Sequence, residues 1–173
     1  SKPKLSKRDI VLYETGDTAT ENIIMAASRI EGATTIKMAS ANYMVQDVCL
    51  FLQKLGVDIK GIGTSTVTIK GKPNIKKNIE YWPSEDPVEA MTFISAGVTT
   101  NSTITIKRAP IEFLELELLK LEKMGLNYKT SEIYKANNGH TKLVDLTIKK
   151  HDGQLEAPGE KIHPLPSMGI NID

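Results

Sequence analysis

Few side chains in this sequence could do chemistry, and they are scattered. Glu14, Thr15, Gly16, Asp17 and Thr18 place carboxylates, hydroxyls and a glycine just before an apolar-periodic segment. Such a loop delivers the chain into a helix N-terminus, whose free N–H groups and dipole suit acceptor-rich ligands. Read alone, it is more readily an ordinary capped turn. Asp86 precedes Pro87, and an N-cap role accounts for it. Asp173 closes "GINID"; its carboxylate could accept or orient a proton, or could be a solvated aspartate. Cys49 sits beside Val48 and Leu52 in a helical pattern and reads as core. "GIG" at 61–63 lacks the third glycine of a dinucleotide fingerprint. His140, His151 and His163 have no metal-ligand spacing. Glu112, Glu115, Glu117 and Glu122 read mostly as the solvated face of one helix.

Bulk properties narrow the classes. The chain has 173 residues, 40% hydrophobic, with a net charge of +1. That suffices for one domain or two small ones. Near-neutral charge gives no reason to expect nucleic acid or an anionic membrane as partner. No apolar run approaches the roughly 20 residues that span a bilayer, and "SKPKLSKRD" has no apolar core of a signal peptide. A lone cysteine forms no internal disulfide, which fits a cytoplasmic setting. The missing initiator Met and the stop at "GINID" lead us to expect a piece of a longer chain.

The elements that must position these residues come in a repeating order. "DIVLY" predicts a strand, and Thr18 with Glu21 predicts a capping box opening a helix that Gly32 ends. "ATTIKM" is a strand, residues 43–55 a helix stopped by Gly56, and "VDIKG" and "TVTIKG" two strands joined by a hairpin turn. The second half repeats the pattern. "NIEYW" predicts a strand, "SEDPVEAMTFISAG" a helix capped by Asp86, and "STITIKRA" a strand. Pro110 opens a helix with a stripe of Ile111, Leu114, Leu118 and Leu121, ended by Gly125. "LNYKT" and "LVDLTIKK" are strands, with a longer hairpin between them that could hold a short strand of its own. At an offset of about 70 residues "TIKMA" meets "TIKRA", and "FLQKLGVDIKG" meets "LEKMGLNYKTS"; a fixed period in residue type and element order signals duplication. The polar, lysine-rich "KGKPNIKKNIEYWPSED" is the boundary.

The stretches "TATENIIMAASRIEGATTI", "FLQKLGVDIKGIGTSTVTIKG", "DPVEAMTFISAG" and "LKLEKMGLNY", in this order, carry a resemblance. The chain resembles the UDP-N-acetylglucosamine 1-carboxyvinyltransferase (enolpyruvyl transferase) family, a relative of 5-enolpyruvylshikimate-3-phosphate synthase. The resemblance implies an α/β (α+β) fold of repeated βαβαββ units, six in two domains, each domain an inside-out α/β barrel with helices inside. Residues 1–76 would be a unit from the end of the UDP-sugar-binding domain, 77–84 the hinge, and 85–173 a unit of the partner domain with the start of the next. The implied reaction is transfer of the carboxyvinyl group of phosphoenolpyruvate to the 3-hydroxyl of a UDP-sugar, toward bacterial peptidoglycan in the cytoplasm. No cofactor and no metal is implied.

The resemblance also assigns residues. Glu14 to Thr18 match the loop touching the uridine end of the substrate, although the family tends to carry lysine where Glu14 stands and a small residue where Thr18 stands. "ASANYMVQD" matches a stretch rich in Arg and Glu, with Asn42 and Met44 at the acidic positions. Asp173 falls on the aspartate that accepts the proton of the sugar hydroxyl. Asp86 falls near an Asp–Arg pair of the family at the hinge, which makes it a substrate-side candidate, with Pro87 where the arginine should stand. The family's Lys–Asn pair, cysteine loop and phosphate-binding arginines have no counterpart here, so the chain alone is expected to be inactive. Its unmet unit faces are expected to favour self-association. Two other readings stay open: transfer to another acceptor such as shikimate 3-phosphate, and a non-catalytic binding or assembly module.

Overall fold

The computed structural model describes residues 9–153 and 155–157. The chain divides into two compact units, the first running up to Tyr81 and the second starting at Trp82.

Unit 1 runs β1 (Asp9–Val11), α1 (Asp17–Ala27), β2 (Gly32–Lys37), α2 (Tyr43–Lys54), β3 (Asp58–Lys60), β4 (Thr66–Gly71). Its sheet has the order β1-β2-β4-β3, with β1 parallel to β2 and the other neighbours antiparallel. Alternate strand residues, Ile36, Ile59, Val67 and Ile69, turn to one side and are buried. They meet Ile24 of α1 and Val45, Cys49 and Leu52 of α2 in a single apolar cluster. Covering one sheet face with helices buries both apolar faces at once, which is the driving force for this layer.

Unit 2 runs α3 (Pro87–Thr99), β5 (Ile104–Pro110), a single 3-10 turn (Ile111–Phe113), α4 (Glu115–Lys123), β6 (Tyr128–Thr130), β7 (Tyr134–Lys135), β8 (Lys142–Ile148). Its sheet has the order β5-β8-β6, with β7 also paired to β8. The path β5-β8-β6 repeats β2-β4-β3. Ile94, Ile106, Leu114, Leu118, Leu146 and Ile148 form its core. Gly56 and Gly125 both end the second helix of their unit at positive φ, 95° and 97°, a conformation that only glycine adopts without strain.

Four expectations need correction. First, α1 begins at Asp17 with Gly16 as N-cap, so Thr18 lies within the first turn. The cause is tertiary, because the loop after β2 holds Asp17 and Thr20 and pulls the start of the helix forward. Second, α1 stops at Ala27, before Gly32. The Ser28 carbonyl accepts from Lys72 N at 2.7 Å, drawing the chain out of the helix toward the end of β4. Gly71 permits that approach, since a Cβ there would lie 2.0 Å from the Ile30 carbonyl oxygen. Third, "NIEYW" is not a strand. Tyr81 is drawn onto α2, where its hydroxyl donates to Asp47 Oδ1 at 2.7 Å and its ring meets Phe51 edge-on at 5.3 Å. Fourth, Glu117 is not solvated but only 6% exposed. The helix expected from Pro110 is broken at Leu114, and α4 turns Glu117 inward beside Leu118. The short strand expected in the last hairpin is present as β7.

Candidate functional site

In unit 1 the structure brings together two loops. The first, 12–16, leads from β1 into α1. The second, 38–42, leads from β2 into α2. Their meeting is built from small polar side chains. Asp17 accepts a hydrogen bond from the Ser40 hydroxyl at its Oδ1. Thr20 Oγ1 donates to the Gly16 carbonyl at 2.7 Å and accepts from Ser40 N at 3.1 Å. Asn42 N donates to Ser40 Oγ at 3.1 Å, and Asn42 Oδ1 accepts from Met44 N at 3.0 Å, capping α2. Thr20, Ser40 and Asn42 are buried, so each hydroxyl or amide here has to be satisfied internally. The network fixes the angle at which the loop enters α1.

Electrostatically the junction is acidic. Asp17 sits in the first turn of α1, where a carboxylate offsets the positive end of the helix dipole. Glu21, one turn on, has its carboxyl raised above the usual range, first by burial and then by the Asp17 charge. Glu14 adds a third, exposed carboxylate. Three carboxylates therefore lie along the entry to α1, next to the positive end of its dipole.

In unit 2 the corresponding junction leads into α3. Asp86 caps the helix, its Oδ1 accepting from Val88 N at 2.8 Å, with Pro87 at the first helical position. This oxygen is therefore committed to the helix. Beside it Glu85 pairs with the Arg108 guanidinium. Arg108 N donates to Asp145 Oδ1 at 3.2 Å, and the Tyr134 hydroxyl donates to the same oxygen at 2.7 Å. These contacts, the tyrosine first, hold the Asp145 carboxyl below its ordinary range.

Of the residues named from sequence, Asp17 is placed in a defined network at the start of α1, with Glu14, Thr15 and Gly16 on the loop before it and Thr18 in the first turn of the helix. Asp86 lies in the other unit. Asp173 falls outside the described residues. Thr20 and Ser40 were missed, because a buried hydroxyl serving two loops has no local signature. Glu85, Arg108 and Asp145 were missed for a similar reason, since their sequence separation hides the contact. Among the described residues no group of three or more His, Cys, Asp or Glu is arranged to hold a metal, and no helix is long and apolar enough to cross a membrane.

Comparison with known proteins identifies the family. The model of EPSP synthase (3-phosphoshikimate 1-carboxyvinyltransferase) matches residues 3–172. The chain belongs to the EPSP synthase (enolpyruvyl transferase) family. Within the family its similarity runs to proteins named UDP-N-acetylglucosamine 1-carboxyvinyltransferase. One from Bradyrhizobium diazoefficiens is 36% identical over 172 residues, covering 98% of this chain and 39% of that protein. Another, from Prochlorococcus marinus, is 33% identical over 145 residues, covering 81% of this chain and 34% of that protein. The chain thus spans a little over a third of the length of these relatives. The fold agrees with solved enolpyruvyl transferases. The enolpyruvyl transferase NikO from Streptomyces tendae superposes with a TM-score of 0.69 at 20% identity, over 88% of this chain and 36% of that one. EPSP synthase from Acinetobacter baumannii does so with 0.64 at 17%, over 84% and 32%.

Proposed function

We propose that this chain is part of an enolpyruvyl transferase that moves the carboxyvinyl group of phosphoenolpyruvate to the 3-hydroxyl of UDP-N-acetylglucosamine and releases phosphate. The observation that carries this reading is 36% identity over 172 residues to a UDP-N-acetylglucosamine 1-carboxyvinyltransferase. In this reading residues 1–76 belong to the UDP-sugar side, 77–84 are the hinge, and 85–173 belong to the partner domain. The protein acts in the bacterial cytoplasm, in peptidoglycan precursor synthesis. Glu14 to Thr18 contact the uridine end, Asp86 stands on the substrate side, and Asp173 takes the proton of the attacking hydroxyl. The chain alone does not turn over, because it supplies neither the cysteine loop nor the phosphate-binding arginines. Apolar side chains exposed on the helices, among them Met25, Phe93 and Leu119, support self-association of the isolated chain.

A second reading has its own support. Glu14, Asp17 and Glu21 make the α1 junction acidic, and Asn42 is spent on capping α2. Both features favour an acceptor without a diphosphate at this junction.

The test is phosphate release by the full-length parent with phosphoenolpyruvate and UDP-N-acetylglucosamine. Asp173→Ala and Asp173→Asn are each expected to lower kcat by about 10²–10⁴-fold, the range for removing a positioned acid–base group, with KM little changed. Asp173→Asn keeps volume but cannot take the proton. Turnover near wild type in both variants would remove Asp173 from the mechanism. An inactive wild type that becomes active with another acceptor would favour the second reading.

A further inference from the structure

The polar, lysine-rich boundary is held along its length. Leaving β4, the chain runs back along α2. Ile75 packs on the core of unit 1. Lys77 Nζ donates to the Lys54 carbonyl at 2.8 Å. The Tyr81 hydroxyl donates to Asp47 Oδ1 at 2.7 Å and lies 3.1 Å from the carbonyl oxygen of the same residue, while its ring meets Phe51 edge-on. Asp47, Phe51 and Lys54 are spaced four and three residues apart, so they line one face of α2. Burial, and then Asp47, raise the Tyr81 hydroxyl above its ordinary range, which keeps it a donor. Three residues on, the chain is held again, by unit 2. Ser84 Oγ lies 3.0 Å from Oγ1 of the buried Thr141 and accepts from Asn138 Nδ2 at 3.4 Å. Asn138 is fixed in turn, its Oδ1 accepting from the N–H groups of His140 and Thr141.

We propose that residues 81–84 form a strap clamped at both ends, at Tyr81 to α2 and at Ser84 to the β7–β8 hairpin, and that release of a clamp gates bending between the units. While both clamps hold, Trp82 and Pro83 are the residues between them. Pro83 fixes its own φ and keeps Trp82 out of the helical region, so this short span is extended and stiff. A hydroxyl bonded to a carboxylate is a strong type of clamp, and a pair of neutral hydroxyls a weaker one. That the strap lies in a catalytic hinge rests on the enzymatic reading; the two clamps do not.

Chymotrypsin cleavage of the intact chain after residue 81 tests the strap. The protease takes in residues on both sides of the bond, so it needs both clamps open, and cleavage follows the population of the released strap. The wild type is expected to be cut after the fully exposed Tyr13 well before Tyr81. Tyr81→Phe keeps the ring and the cleavage site but loses the hydroxyl; it is expected to speed the cut about tenfold, the effect of losing a hydrogen bond to a charged group. Ser84→Ala is expected to speed it about fivefold, the effect of losing a neutral one, and the double variant by the product of the two. Tyr134→Phe, which takes a hydroxyl from a carboxylate away from the strap, is expected to leave the rate unchanged. Trp82 is the only tryptophan of the chain, and its quenching by acrylamide is expected to rise in the same order. Wild-type cleavage after Tyr81 as fast as after Tyr13, a double variant cut no faster than wild type, or an equal rise in Tyr134→Phe would each overturn the proposal. No substrate enters the assay, so a failed strap leaves the enzymatic reading standing, and an inactive parent enzyme leaves the strap standing.

Discussion

Met38 in unit 1 and Arg108 in unit 2 stand at the same place, one residue before a buried alanine. Both hold left-handed backbone, with φ of 61° and 59°. Nearby, Thr35 and Thr68 share a cross-strand hydroxyl contact of 3.3 Å, and Thr105 and Thr147 share one of 2.9 Å. The backbone path and the sheet-face pairs have been kept through the duplication. What the side chains do at those places has not. Met38 is half-exposed, whereas Arg108 pairs with Glu85 and gives its N–H to Asp145. In the second helix, Val48 of α2 is a partly buried apolar residue, and its counterpart in α4 is Glu117, a buried carboxylate. A shared fold therefore constrains backbone geometry and core volume tightly, and leaves polar chemistry at matched positions free to diverge.

The largest expected effect tests the equivalence of the cores. Ile24 and Ile94 are both fully buried at matched positions. Truncation of either to alanine should cost about 2–5 kcal/mol, the range for emptying a closed core site. Site-resolved hydrogen exchange should show protection lost in β2 and β4 for Ile24→Ala, and in β5 and β8 for Ile94→Ala. A loss for one site well outside that for the other would break the comparison.

Next comes the divergence at Glu117. Its Oε1 is buried with no hydrogen-bond partner, and burial raises its carboxyl above the ordinary value. The sign follows from the raised folded value. Glu117 is tolerated below the unfolded carboxylate pKa, as the neutral acid, and unit 2 loses stability as pH rises through the folded pKa. Glu117→Gln should flatten that fall, and Glu117→Leu should stabilise unit 2 near neutrality by about 1–3 kcal/mol, the cost of an unsatisfied buried polar group. Urea melts from pH 4 to 8 measure both. Asp145 works in the opposite sense: its lowered carboxyl contributes stability that is lost as pH falls. Unchanged melts in the Glu117 variants would show that the carboxylate has a partner in solution.

The smallest effect concerns the left-handed pair. Met38→Gly should stabilise unit 1 by roughly 0.5–1 kcal/mol, because relief of left-handed strain slightly exceeds the entropy cost of glycine. Arg108→Gly relieves the same strain but removes the partner of Glu85, so its gain should be smaller or negative. Equal gains at the two sites would mean that the Glu85–Arg108 pair contributes nothing to stability, a common result for exposed ion pairs.

Much of this molecule was legible in its sequence. Periodicity placed both helix pairs, and the glycines at 56 and 125 marked the end of the second helix of each, because a left-handed helix stop is a local requirement. Asp86 before Pro87 announced a helix start that the structure contains. The duplication made the path β5-β8-β6 predictable from β2-β4-β3, but not the absence, among the described residues, of a counterpart to β1, since "NIEYW" forms no strand. The tertiary structure alone decided the rest. It started α1 at Asp17 through Ser40 and Thr20, drew Tyr81 onto α2 instead of into a strand, turned Glu117 inward, and joined Arg108 to Glu85 and Asp145. Propensity and hydrophobic period act over a few residues and can be read along the chain. Hydrogen bonds and desolvation act between residues that are neighbours only after folding, and no local pattern encodes which neighbours those will be.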